Sequence, residues 1–195
     1  IHGCLAGVAV GDALGFPAHD LEAEEVLARF GGPVDRFHPA FPDDPIHVGY
    51  SAGRVTDDTI LTLVTASALV GSNDIEDDPD YTAGTSAAPT SDDMALALYR
   101  WAREHRDLWE PGDVFGPSTK KACDQLLATQ GRFELDLRRS RAHDGASNGA
   151  AMRMAPAGLV HPGDPEAASH TACVLAQGAP PPPPGRAPPP PVGGR

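Results

Sequence analysis

Residues 57–70, DDTILTLVTASALV, constrain the fold more than any other stretch of this chain. Ile60, Leu61, Leu63, Val64 and Ala68 recur at helical spacing and form a broad apolar face, so the segment predicts a helix that other helices must cover. Thr56 precedes it as a cap, and Asp57 and Asp58 complement the positive end of the helix dipole. Further helices are predicted over 2–15, 21–30, from Ser91 through Trp101, 117–129, 148–160 and 164–177. In the first of these, Leu5, Val8, Ala9 and Ala13 stand among glycines, small residues that let neighbouring helices approach closely. No segment alternates strictly between apolar and polar residues, so the expected fold class is all-α.

Two stretches break this pattern. Residues 71–90 are acidic and rich in small residues, which predicts a long surface loop between helices. In residues 178–195, 9 Pro and 4 Gly fill 13 of 18 places, so the expected domain ends at 177 and is followed by a Pro/Gly-rich disordered tail. The abrupt start of that tail fits a reading-frame shift or an artificial end as well as it fits a Pro-rich ligand. With Ile1 in place of Met, the sequence is expected to begin inside a longer gene product.

A formal charge of −12 argues against nucleic acid as a partner, because phosphate binding needs gathered Lys and Arg, and none are gathered here. The apolar stretch from Cys4 to Ala18 is broken by Asp12 and three glycines, whereas a membrane span needs roughly 20 apolar residues, so no membrane association is expected. Cys4, Cys123 and Cys173 are odd in number and far apart. They predict free thiols and a reducing, cytoplasmic compartment.

Thr56, Asp57 and Asp58 admit two readings. The first is the helix cap already described. The second uses the half-helical backbone of the helix mouth, where a hydroxyl and two carboxylates can converge on a hard cation such as Mg²⁺ or Mn²⁺. Gly145, Ala146, Ser147, Asn148 and Gly149 precede a predicted helix and leave backbone N–H groups accessible to a phosphate, a composition that a simple turn shares. Gly116-Pro117-Ser118-Thr119 is a weaker loop-to-helix transition of the same kind. Asp12, an acid amid small apolar residues, is expected to be satisfied by backbone donors or a hydroxyl and to play a supporting role. The histidines are scattered and most are expected at the surface; Trp101, Trp109, Phe115 and Phe133 are expected in the core or an interface.

Taken together and in order, GCLAGVAVGDALGFPAHD, GRVTDDTILTLVTASALV, FGPSTKKACDQLL and SNGAAMRMAPAGLV resemble the ADP-ribosylglycohydrolase family, over roughly residues 2–177. The resemblance implies a multi-helix orthogonal bundle with a binuclear Mg²⁺ or Mn²⁺ centre. It also implies hydrolysis of the glycosidic bond between ADP-ribose and a modified side chain, commonly arginine, or a small ADP-ribosyl compound. On it, Thr56, Asp57 and Asp58 are metal ligands, with Asp57 and Asp58 also catalytic; Gly145 to Gly149 hold the ADP-ribose, and Gly116 and Ser118 lie beside them.

The chain also departs from the family pattern. His19 stands where the family often has a Glu, with Asp20 and Glu22 the nearby carboxylates. A DxDT-like second metal motif is absent, as is a Thr-His pair expected shortly after Gln177. Three donors from one helix mouth under-coordinate two ions, so weak metal binding, low or no activity, and self-association through uncovered apolar faces are expected. The alternative is a non-catalytic ADP-ribose-binding pseudoenzyme or a structural fragment.

Overall fold

The computed structural model describes residues 1–71, 89–106, 115–131 and 149–177. Among them are seven α-helices and no strand: α1 (His2–Gly15), α2 (Ala23–Phe30), α3 (Asp57–Val70), α4 (Ser91–Glu104), α5 (Pro117–Ala128), α6 (Ala155–Leu159) and α7 (Pro165–Gln177). The expected all-α class is thus the observed one. The stretch 72–88 of the predicted surface loop, the tail 178–195, Trp109 and Phe133 lie outside the described residues.

The ends of the helices follow from local chemistry. α2 begins two residues later than predicted, because Glu22 and Glu25 form a reciprocal capping box, and it stops at Gly31, whose φ of 73° only glycine adopts freely. A second capping box joins Thr90 to Asp93 and opens α4. α5 starts with Pro117, whose missing N–H costs nothing in a first turn.

The predicted helix over 148–160 is instead broken into a 3₁₀ turn, Ala151–Arg153, and the short α6. Pro156 is the cause. A continuous helix would need its nitrogen to donate to the Met152 carbonyl, which proline cannot do and which its ring obstructs. That carbonyl lies instead 3.5 Å from the Thr62 hydroxyl of α3.

α3 sits at the centre, packed against α1, α4, the 3₁₀ turn and α6; α4 in turn packs against α5 and α7. One core joins Leu61, Val64 and Ala68 of α3 with Met94, Leu98 and Ala102 of α4, Cys123 and Leu126 of α5, and Leu175 of α7. The broad apolar face of 57–70 is thus mostly buried as expected, although Leu63 is 52% exposed. The buried threonines on α3 are paired: Thr62 donates to the Asp58 carbonyl at 2.6 Å and Thr65 to that of Leu61 at 2.8 Å. Trp101 packs on the edge of the core, stacked on His105 and tilted against Phe115. No helix among the described residues is long and apolar enough to cross a membrane.

Candidate functional site

The site is the N-terminus of α3, and three other elements build it. Asp12, on α1, sends its carboxylate across to that helix end. Its Oδ2 accepts the backbone N–H of Thr56 at 2.8 Å, that of Thr59 at 3.2 Å, and the Thr59 hydroxyl at 2.5 Å. Its Oδ1 accepts the Thr56 hydroxyl at 2.7 Å. A helix start needs acceptors for its free N–H groups, and here one carboxylate from another helix supplies them. Asp12 is satisfied by backbone N–H groups and hydroxyls, as expected.

Thr56 is buried, 4% exposed, at the capping position. Its Oγ1 lies 2.7 Å from Asp12 Oδ1 and 3.2 Å from Asp58 Oδ2, yet carries one proton, which belongs to the shorter contact. An Asp58 carboxylate oxygen therefore faces a hydroxyl lone pair. The side chain of Thr56 also accepts weakly from the Asp58 N–H at 3.4 Å.

The N–H of Gly116, at the start of α5, is near enough to Asp57 to favour its charged form. Burial, followed by the neighbouring charges of Asp58 and Asp12, pushes its carboxyl up to about 6 from the ordinary 3.8, against the opposing effect of that N–H. The other flank is closed by the turn after Gly149: Arg153 Nε donates to the Gly149 carbonyl at 3.1 Å, and Met152 lies over Thr62, one turn into α3. Segments around Asp12, Thr56–Asp58 and Gly116 therefore meet at one helix mouth, and the turn Ala151–Arg153 packs against the same helix near Thr62.

A model of the ADP-ribosylglycohydrolase family matches residues 1–179. The chain belongs to the ADP-ribosylglycohydrolase family. Family members similar to it include the uncharacterized protein YegU of Escherichia coli, 30% identical over 162 residues, which covers 83% of this chain and 42% of YegU. An uncharacterized protein of Archaeoglobus fulgidus is 30% identical over 159 residues, 81% of this chain and 42% of its own length. The chain thus spans less than half the length of these curated relatives. No solved structure matches it.

Of the site residues expected for an ADP-ribosylglycohydrolase, Thr56, Asp57, Asp58 and Gly116 come together at the α3 mouth, and the Gly149 carbonyl accepts from Arg153 Nε within its own turn. Gly145, Ala146, Ser147 and Asn148 lie outside the described residues, as does the side chain of Ser118. His19 is exposed and 3.4 Å from Asp20.

Histidines expected mostly at the surface include one that is not. His47, 3% exposed, is packed among Phe16, His19 and Tyr50, and its Nδ1 lies 3.1 Å from Asp44 Oδ2. Burial tends to raise the Asp44 carboxyl, but the N–H groups of His47 and Ile46 and the His47 ring outweigh it and hold the group below its ordinary range. The spacing Asp44-Pro45-x-His47 is the signal that could have found this pair, since an Asp two or three residues ahead of free N–H groups forms such a turn.

Proposed function

We propose that this chain supplies one half of a divalent-cation centre in a hydrolase that cleaves the glycosidic bond to ADP-ribose, on an arginine-type side chain or a small ADP-ribosyl compound. The observation that carries this reading is the approach of Asp57, Asp58 and Asp12 to one helix mouth, close enough that the charges of Asp58 and Asp12 raise the Asp57 carboxyl. Stability alone does not call for three acids there, since Asp12 already caps the helix. The donor chemistry suits Mg²⁺ or Mn²⁺: two carboxylates and a hydroxyl lone pair are hard oxygen ligands. Among the described residues no three His, Cys, Asp or Glu side chains are grouped to hold a metal ion, so the proposed centre needs ligands beyond them.

Thr56, Asp57 and Asp58 would hold the ion, with Asp12 fixing the Thr56 hydroxyl and the Gly116 N–H orienting Asp57. A bound divalent ion supplies Lewis-acid polarisation and orientation of sugar hydroxyls and water. Gly116, Ser118 and the loop from Gly145 to Gly149 would hold the diphosphate through N–H groups, which explains how a chain of charge −12 could take an anionic ligand. Three free cysteines accord with a cytoplasmic setting.

Titration calorimetry with Mn²⁺ tests the half-site: the chain should bind weakly, and Asp57→Asn together with Asp58→Asn should abolish the heat. Turnover of ADP-ribosyl-arginine, with and without Mg²⁺, tests the reaction. Saturable ADP-ribose binding in the absence of any turnover would favour a non-catalytic binding protein, and Mn²⁺ affinity unchanged in the double variant would sink the metal reading.

A further inference from the structure

α3 carries three buried threonines within the helix, and their hydroxyls are used differently. Thr59, at the mouth, donates to Asp12 of α1. Thr65 donates to the Leu61 carbonyl at 2.8 Å, and its other neighbour is the Met94 sulfur at 3.8 Å, a weak acceptor. Thr62 stands between two carbonyls of different elements: that of Asp58, one turn back in α3, at 2.6 Å, and that of Met152, in the 3₁₀ turn, at 3.5 Å. A hydroxyl has one proton, so Thr62 serves one of these acceptors at a time. As the distances stand, that acceptor is Asp58.

The two carbonyls have different needs. That of Asp58 also takes the N–H of residue 62 in the helical ladder, so it does not depend on the hydroxyl. That of Met152 has lost its helical partner, because residue 156 is proline. The turn packs directly against α3, and Thr62 is 1% exposed. An ordinary O–H···O bond is about 2.8 Å long, so an approach of about 0.7 Å would bring Met152 within reach of the proton.

The position of that proton matters to the mouth of the helix. A threonine bonded to the carbonyl four residues back bends its helix, and the turn bent here is the one that carries Asp57 and Asp58. Passing the proton to Met152 releases that turn, and because one carbonyl acceptor replaces another, the two arrangements are close in free energy. At its other side the turn is tied to Gly149, whose carbonyl accepts from Arg153 Nε at 3.1 Å. A contact with two such positions can carry an effect between sites, which proximity alone does not.

We infer that Thr62 is a positioning residue that couples the turn Ala151–Arg153, and the end of the anion-holding loop at Gly149, to the cation-holding mouth of α3. A cation on Asp57 and Asp58 straightens the first turn, the Thr62 proton passes from the Asp58 carbonyl to that of Met152, and the 3₁₀ turn closes on α3. By reciprocity, an anion that draws the turn inward strengthens the cation site. The inference rests on the reading of this mouth as half of a cation centre, and it adds to that reading a residue that touches neither ligand.

Hydrogen exchange followed by mass spectrometry, with Mn²⁺ alone as the probe, tests the coupling, because none of the proposed metal ligands lies in the turn. At Mn²⁺ concentrations that calorimetry shows to saturate each protein, the peptide covering residues 149–155 should exchange at least about threefold more slowly in the parent chain than without the ion. Thr62→Ser keeps the hydroxyl and should match the parent. Thr62→Val keeps the branched shape without the proton, and its turn should show no slowing. Equal slowing in Thr62→Val would overturn the inference, since the coupling would then not need the proton. So would a parent chain that takes up Mn²⁺ while its turn exchanges as before. A parent that gives no heat with Mn²⁺ fails at the earlier step, and removes the cation reading together with the coupling.

Discussion

Asp12→Ala is the most informative single substitution in this chain, because one side chain holds four donors at the entrance of α3. Two of those donors are hydroxyls that can turn elsewhere: Thr56 Oγ1 has Asp58 Oδ2 at 3.2 Å. The other two are the N–H groups of Thr56 and Thr59, residues 4% and 6% exposed, and these cannot rotate. Loss of a capping side chain costs about 1 kcal/mol, and each buried polar group left without a partner about 1–3 kcal/mol. Because these effects overlap, the expected loss is about 3 kcal/mol. Asp12→Asn should cost only about 1 kcal/mol, since its carbonyl can still accept both N–H groups while its amide donates to Thr56 Oγ1 and the Thr56 proton turns to Asp58. Urea unfolding in chelator, followed by far-ultraviolet circular dichroism with a common slope, measures both. An Ala variant within 0.5 kcal/mol of the parent, or an Asn variant as costly as Ala, would refute a cap supplied from another helix.

Asp57 should give the metal-free chain an inverted response to pH. Its folded value of about 6 lies above the ordinary 3.8, so the fold favours the protonated form, and this group's contribution falls as pH rises from about 4 to about 6. The full shift would correspond to about 3 kcal/mol, and partial exposure with solvent screening brings it to about 1–2 kcal/mol. Asp57→Asn should therefore stabilise the metal-free chain at pH 7 and flatten that stretch of the stability profile; a destabilised variant at pH 7 in chelator would contradict it. Leu126→Ala, at a site 1% exposed, should cost about 2–5 kcal/mol in the same unfolding assay, while Leu63→Ala, at 52%, should change stability by less than about 0.5 kcal/mol. Gly131→Ala should cost about 1–3 kcal/mol, because φ is 81° and the new Cβ would lie 3.0 Å from Tyr99 Cδ1. A smaller cost in a Tyr99→Leu background would separate the contact from the backbone strain, and an equal cost there would assign the whole effect to the backbone.

What the residues reveal unaided divides along the range of the interaction. α3 was legible to the residue at both ends, because Thr56, Asp57, Asp58 and Gly71 are local signals that act within one turn. The break near Met154 was hidden because the 148–160 pattern is helical in its apolar spacing, and one proline outweighs that pattern. The candidate ligands at 56–58 stood out as a motif, but the hydrogen bonds that arrange them did not. Asp12 reaches Thr56 across 44 residues and Gly116 reaches Asp57 across a comparable gap, and neither pairing leaves a local trace. The burial of His47 was missed for a related reason: its aromatic neighbours Phe16 and Tyr50 come from both sides of it in sequence and meet only once the chain has turned.

The long reach of Asp12 also bears on the sequence of folding events. Forming that cap requires closing the loop that runs from α1 through α2 to the start of α3, and the entropy of that closure must be met before the hydrogen bonds can repay it. The first turn of α3 should therefore become ordered after its middle, which Leu61 and Val64 can anchor on α4. In native-state hydrogen exchange, the Thr59 amide should open together with α1 rather than with the rest of its own helix.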